Sequence, residues 1–340
     1  MSDIRFYDFN FNLIHILPPT SNLNGYSSVN VTQEFNNSGS FDLVFSDEEL
    51  KRKIEEHKCN LFVVWKGFQG FLTSYTWKDD SCRALGMHLN GLLHRAVIPS
   101  IYKVVTIKDK DGKETQEKQA ITDTLNNHLV NAISNISWLE YASDSNYANE
   151  VSYLVEKYST ADTYIQGLMD LVKGGYAITA DFKNKKLYLK PQKPIHNPIM
   201  LSENNLNAYS FETSYINKNL AFGAWFEKEV KDRDGNTLDP IWTYITTDKG
   251  QNGIFKIDTV LTAKTEAEAM EELKKKIPEL TITAETRNIQ YDIDYKIGDV
   301  VRIQKDGKTV KKLVSGINLW SENQYGEQPI FTEWEELTNE

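Results

Sequence analysis

The chain has 340 residues, 40% hydrophobic and 25% charged, a balance that can bury real cores and a length suited to two or three domains. Its 38 lysines and arginines face 48 aspartates and glutamates, so the formal charge of -10 has the wrong sign for a protein that displaces counterions from nucleic-acid phosphate. No segment approaches the run of about 18 apolar residues that a membrane span needs, and the stretch 9–17, broken by Asn10, Asn12 and His15, lacks the basic leader of a signal peptide.

Along the first hundred residues the pattern is that of strands. Residues 4–6 open one, and Pro18, Pro19 and Gly25 punctuate the stretch after it. A strand over 40–45 leads into Ser46-Asp47-Glu48-Glu49, where Ser46 as cap and Glu49 reaching back predict a short helix ending near His57. Residues 61–65 form a buried-type strand. After Gly67, period-two alternation over 68–77 puts Phe71, Tyr75 and Trp77 on one face, and a third strand runs over 83–89. Together these predict an antiparallel barrel or sandwich.

The middle differs. Asp111-Gly112 is a hairpin signal, and Ile121, Leu125, Leu129 and Ile133 recur every four residues as on an amphipathic helix. A second helix starts near Thr160 and stops at Gly174-Gly175, before strands at 176–179 and 187–189. The strand pattern returns at 220–226, 241–246 and 254–261, with a turn at Asp232-Arg233-Asp234-Gly235-Asn236. A helix comes next, with Thr265 as cap, Glu268 as its capping-box partner and Pro278 beyond its end. Strands at 280–286, 300–304, 310–320 and 330–334 finish the chain. The run Val63-Val64-Trp65, a turn and a strand ending at Trp77 is echoed by Val300-Val301-Arg302-Ile303, a turn and a strand ending at Trp320.

Sites for chemistry are sparse. The six histidines, His15, His57, His88, His94, His128 and His196, show no metal-ligand spacing; His88 and His94 flank an Asn-Gly turn signal. Asp232, Asp234 and Asn236 imitate the start of a calcium loop, but Thr237 and Thr243 stand where that loop needs glycine and a bidentate acid. No nucleophile elbow, Walker loop or dinucleotide fingerprint occurs. Glu333, Glu335 and Glu336 are read as an acidic terminal strand and tail rather than a catalytic acid pair. Cys59 and Cys82 read as free thiols in a reducing compartment, with pairing left open. No catalytic residue, metal or cofactor is expected.

Five landmarks, in order, resemble the tail-hub or minor tail proteins of long-tailed phages. They are Gly39-Ser40-Phe41-Asp42-Leu43-Val44-Phe45; Gly70-Phe71-Leu72; the run from Leu85-Gly86 through Leu92-Leu93 to Arg95; Gly174-Gly175-Tyr176; and Tyr291-Asp292-Ile293-Asp294-Tyr295-Lys296-Ile297-Gly298-Asp299-Val300-Val301. The last is similar to a Y-x-x-D-Y-x-L-G-D-x-V signature, with Ile297 in place of leucine. The resemblance implies an α+β, β-rich fold with two tube-like antiparallel β-barrel domains and an inserted small α+β domain. The first barrel would span 1–105, completed by 205–228; the insert 106–200; and the second barrel 229–340, with one helix over 264–277.

It also implies a homotrimeric ring joining a sixfold tail tube to a threefold tip, at the tail tip of a virion or phage-tail-like particle made in the bacterial host cytoplasm. Its partners would be tail tube or distal tail proteins and a spike, fibre or tape-measure protein, with DNA passing through without specific binding. Competing readings are a tail-associated cell-wall hydrolase and a glycan- or receptor-binding tip module. The signature residues Gly39, Phe41, Gly70, Gly86, Arg95, Tyr291, Asp294, Tyr295, Gly298, Asp299 and Val301 read as folding residues rather than catalysts.

Overall fold

Alternation of buried and exposed side chains builds most of the first hundred residues into strands, as in Ser40–Phe45, where Phe41, Leu43 and Phe45 are buried. The structure, a computed structural model, describes residues 2–334 apart from 20–24, 79, 109–113, 143–146, 148–149, 156, 216–220, 232–236, 248–257, 275, 277–279 and 323. The expected turn at 232–236, Asp111-Gly112, Pro278, Glu335 and Glu336 lie outside the described residues.

The strands of the first part are β1 (Ile4–Asp8), β2 (Leu13–Leu17), β3 (Tyr26–Glu34), β4 (Ser40–Phe45), β5 (Leu61–Trp65), β6 (Phe68–Lys78) and β7 (Ser81–His88), with helix α1 (Glu48–Glu56) between β4 and β5. Next come β8 (Val97–Ile98), β9 (Lys103–Lys108), β10 (Glu114–Gln119), β11 (Ile121–Thr124), α2 (Leu125–Ile133), β12 (Leu139–Tyr141), β13 (Glu150–Tyr153), β14 (Ser159–Thr160) and α3 (Ala161–Leu171). After these are β15 (Gly175–Asp181), β16 (Lys186–Gln192), β17 (Ile195–Leu201), β18 (Ala208–Tyr215), β19 (Gly223–Lys231), β20 (Thr237–Thr246), β21 (Asp258–Val260) and α4 (Glu266–Lys274). The chain closes with β22 (Leu280–Thr286), β23 (Asp299–Lys305), β24 (Lys308–Ser321) and β25 (Tyr325–Glu333). The β-rich α+β class is as expected. No helix among the described residues is long and apolar enough to cross a membrane.

Two compact units result: Met1–Tyr209 with Glu285–Gln304 and Lys311–Glu340, and Ser210–Ala284 with Lys305–Val310. The first holds the main sheet, in the order β17-β23-β24-β3-β4-β7-β6-β5-β1-β2, with β25 also on β24. The strand that extends β3 is β24, from Gly316 opposite Glu34 to Ser321 opposite Val29. At 14 residues β24 is long enough to pair with β25 and still offer an edge to β3, whereas β18 is paired with β22 and β19 with β20 and β21.

Three local departures have physical causes. Asp47, not Ser46, caps α1, its carboxylate accepting from the Leu50 N–H at 2.7 Å. In β6 the ladder to β7 slips between Leu72 and Ser74, and a bulge of one residue turns later side chains to the other face. Phe71 therefore packs in a cluster with Leu89 and Leu93, while Trp77 lies against Phe45, so the three aromatics do not share a face. Ile121 belongs to β11 rather than to α2, because Thr124 caps the helix at Asn127.

The α+β segment shares one apolar core with the first part: Leu125, Leu129, Tyr164, Leu168 and Ile178 cluster with Phe62, Phe71, Leu92 and Leu93. The helix α3 starts beside Thr160, as expected, with Thr160 as its cap, but the residue at positive φ after the helix is Lys173, and Gly174 donates to the Met169 carbonyl at 2.8 Å. In the second unit α4 covers Ala224, Phe226 and Ile245 with Ala269 and Leu273. Its capping box forms as expected: Glu268 N–H donates to Thr265 Oγ1 at 3.2 Å, and Glu268 Oε2 accepts from the Thr265 N–H at 3.2 Å.

Candidate functional site

The landmark residues are held by local hydrogen bonds and close packing. In the stretch leading to β23, Asp294 Oδ2 accepts from the Gln290 N–H at 2.8 Å while its own N–H donates to the Gln290 carbonyl at 2.8 Å. Asp299 Oδ2 accepts from the Lys296 N–H at 2.9 Å and from Asn197 Nδ2 at 2.7 Å; that same amide donates to the Asp294 carbonyl at 3.0 Å. Short carboxylates are used here because they reach nearby backbone amides that no strand partner meets.

The two signature tyrosines converge on a residue that the sequence did not single out, Glu327 of β25. Its Oε1 accepts from the Tyr291 N–H at 2.7 Å and lies 3.5 Å from Tyr295 Oη, while Oε2 accepts from Tyr325 Oη at 2.6 Å. Burial, and after it the neighbouring carboxylates, pushes the Tyr291 and Tyr295 phenols upward; burial and the hydrogen bond to Glu327 raise Tyr325. These phenols stay neutral. Lys66 Nζ rests 3.4 Å from the centroid of the Tyr325 ring, so the β5–β6 turn is held to the same cluster. Val301 is buried in β23.

Phe35, just past β3, is the second joint the sequence did not reveal. Its N–H donates to the Ser315 carbonyl at 2.8 Å, and its carbonyl accepts from the Tyr176 N–H at 3.0 Å. Its ring occupies the space over two glycines: a Cβ at Gly175 or at Gly298 would stand 2.6 Å from ring carbons of Phe35. A lone phenylalanine between Glu34 and Asn36 carries no periodic signal, but paired glycines far along the chain are what a close-packed ring leaves behind.

Elsewhere, Gly39 has φ +52, and a Cβ there would run into the Thr32 carbonyl oxygen; at Gly70 and Gly86 it would run into those of Met87 and Phe71. Phe41 is buried and stacks on Phe68, with centroids 5.9 Å apart. The Asn-Gly signal at 90–91 falls in a 3-10 helix, Leu89–Arg95, rather than a turn, and the Arg95 guanidinium lies 4.9 Å from the centre of the Phe71 ring.

Inside that helix, fully buried Asn90 imitates a strand. Its Oδ1 accepts from the Ile178 N–H at 2.7 Å, and its Nδ2 donates to the carbonyls of Tyr176 at 3.2 Å and Asn37 at 2.9 Å. Two residues further along β15, Gln69 does the same: its Oε1 accepts from the Ala180 N–H at 2.7 Å, and its Nε2 donates to the Ala180 carbonyl at 3.3 Å. The two amides thus meet the Tyr176 carbonyl, the Ile178 N–H and both backbone groups of Ala180 along the outer edge of β15. His88 Nδ1 accepts from the Asn90 N–H at 3.2 Å, and burial pulls this imidazole down to about 4, so it is neutral.

Of the other polar candidates, His128, His94 and Glu333 have partners within the chain. His128 Nδ1 lies 3.1 Å from Tyr164 Oη and Nε2 3.1 Å from the Val151 carbonyl; His94 Nδ1 lies 3.2 Å from buried Asp162. Glu333 pairs with buried Lys312. Cys59 and Cys82 are free, and burial pushes the Cys82 thiol up to about 12. No group of three histidine, cysteine or acidic residues among the described residues could hold a metal ion.

This architecture is a known one: its fold is that of phage tail proteins. The 43 kDa tail protein of prophage MuSo2 from Shewanella oneidensis superposes with a TM-score of 0.57 at 12% identity, over 98% of each chain. A tail protein from Neisseria meningitidis gives 0.55 at 12% identity, over 97% of this chain and 96% of that one. The prophage tail protein gp18 from Listeria monocytogenes gives 0.52 at 14% identity, over 98% and 95%. No protein-family model matches the sequence, and no curated protein matches it either.

Proposed function

We propose that this chain is a structural tail-hub protein of a phage or phage-tail-like particle, forming a trimeric ring that joins a sixfold tail tube to a threefold tip. The observation that carries the reading is a shared fold running along nearly the whole chain and nearly the whole of three phage tail proteins. The sequence echo supports two barrel-like halves per chain. Lys66-Gly67, between β5 and β6, and Asp306-Gly307, between β23 and β24, both put two successive residues at positive φ, with φ of 46° and 83° in one and 50° and 75° in the other. That is the geometry of a tight hairpin turn with both central residues left-handed. Three chains with two such halves each present six similar faces to a tube and threefold symmetry to a tip.

In this reading the side-chain joints at Phe35, Asn90 and Glu327 hold the parts of each subunit in fixed register, as a load-transmitting ring requires. The partners are tube or distal tail proteins on one side and a spike, fibre or tape-measure protein on the other. With a net charge of -10, a lumen lined by acid would let DNA pass without binding it. Labelling the protein in purified particles tests the role: label at the junction of tube and tip supports it, and label elsewhere on the particle, or none, contradicts it.

A further inference from the structure

Two hairpins of the same build stand in different company. β5, its turn, β6 and β7 are repeated by β23, its turn, β24 and β25. Both long strands also carry a register slip against the strand after them, between Leu72 and Ser74 in β6 and between Val314 and Gly316 in β24. Past its slip, β24 is paired on both sides, with β25 on one and β3 on the other over Gly316–Ser321. Gly316, Ile317, Leu319 and Ser321 are buried there.

Past its own slip, β6 pairs with β7 alone. Its ladder to β5 stops at Phe71, and no strand among the described residues covers that side of 74–78. Ser74, Thr76 and Lys78 are exposed and Tyr75 and Trp77 only half-buried, at the positions that are mostly buried in β24. A row of unpaired backbone donors and acceptors on a sheet edge is a template for another strand.

We propose that this outer half of β6, Ser74–Lys78, is an assembly edge that receives a strand from a second copy of this chain, as β24 receives β3 within the chain. The occupant is a second copy because the equivalent edge is already filled by this chain's own β3. A joint made once inside each chain and once between chains is head-to-tail, and a head-to-tail joint closes a ring when its rotation divides the circle. The inference rests on the ring reading given above and adds the surface that forms it.

Hydrogen exchange on the full-length protein, read by mass spectrometry alongside native mass, tests it. Peptides spanning 73–78 are expected to exchange roughly tenfold or more slowly in the assembled species than in the dilute monomer, while β5, already paired on both sides, changes little. An assembled ring in which 73–78 exchanges as in the monomer overturns the edge and leaves the ring reading standing. A chain that stays monomeric at every concentration, and is present as isolated copies in purified particles, overturns both.

Discussion

The ring of Phe35 fills the space that a side chain at Gly298 would need: a Cβ on that glycine, whose φ is +92, would lie 2.6 Å from Cε2 of Phe35. The glycine of the signature turn is therefore required twice, for its left-handed backbone and for the aromatic ring above it. Gly298→Ala is expected to cost about 2–4 kcal/mol, from backbone strain and overpacking together. Urea denaturation measures the loss. In a double-mutant cycle with Phe35→Ala the two costs should fall short of additive by about 1 kcal/mol, and simple additivity would show that the ring is not the obstacle.

Asn90 is expected to be among the most sensitive polar positions in the chain. Asn90→Ala strands the Ile178 N–H and two carbonyls away from water, which should cost about 2–4 kcal/mol. Gln69→Ala, at a half-buried position, should cost about 1 kcal/mol. Denaturant melts of the two variants, with exchange at the Ile178 amide, give the comparison.

His88 makes stability depend on pH in a definite direction. Its folded value of about 4 is below the ordinary 6.5, so between those values the unfolded chain binds the extra proton. Stability from this residue is complete above pH 6.5 and is lost as pH falls toward 4, by an amount on the order of 3 kcal/mol. His88→Asn keeps an acceptor near the Nδ1 position. The wild-type minus variant difference in unfolding free energy should therefore slope across this window, and a flat difference would contradict a buried neutral imidazole.

Cys82, fully buried and with its thiol pushed up to about 12, should resist alkylation in the native protein and react only on unfolding. Cys59, partly accessible and raised less, should label first. Mass spectrometry after a timed iodoacetamide pulse reads the order, and native-state labelling of Cys82 at the rate of Cys59 would contradict it.

The strands and helices were legible because their signals are local: alternation marks β4, and Thr265 with Glu268 marks the start of α4. The turn residues of the signature were legible too, since glycine and aspartate declare their backbone needs. What was not legible is long-range. Nothing near residue 29 announces that β3 pairs with residues 316–321, nor does Phe35 announce the two glycines it covers. The bulge that reverses the faces of Tyr75 and Trp77 relative to Phe71 is likewise set by the neighbouring strand, and simple alternation cannot register it.

The most direct test of the assembly is an averaged image of the ring viewed along its axis, with the chain count fixed by native mass. Three chains showing six similar lobes around one channel is the expected result. A closed ring of any other number of chains, or three chains showing only three lobes, would contradict the account.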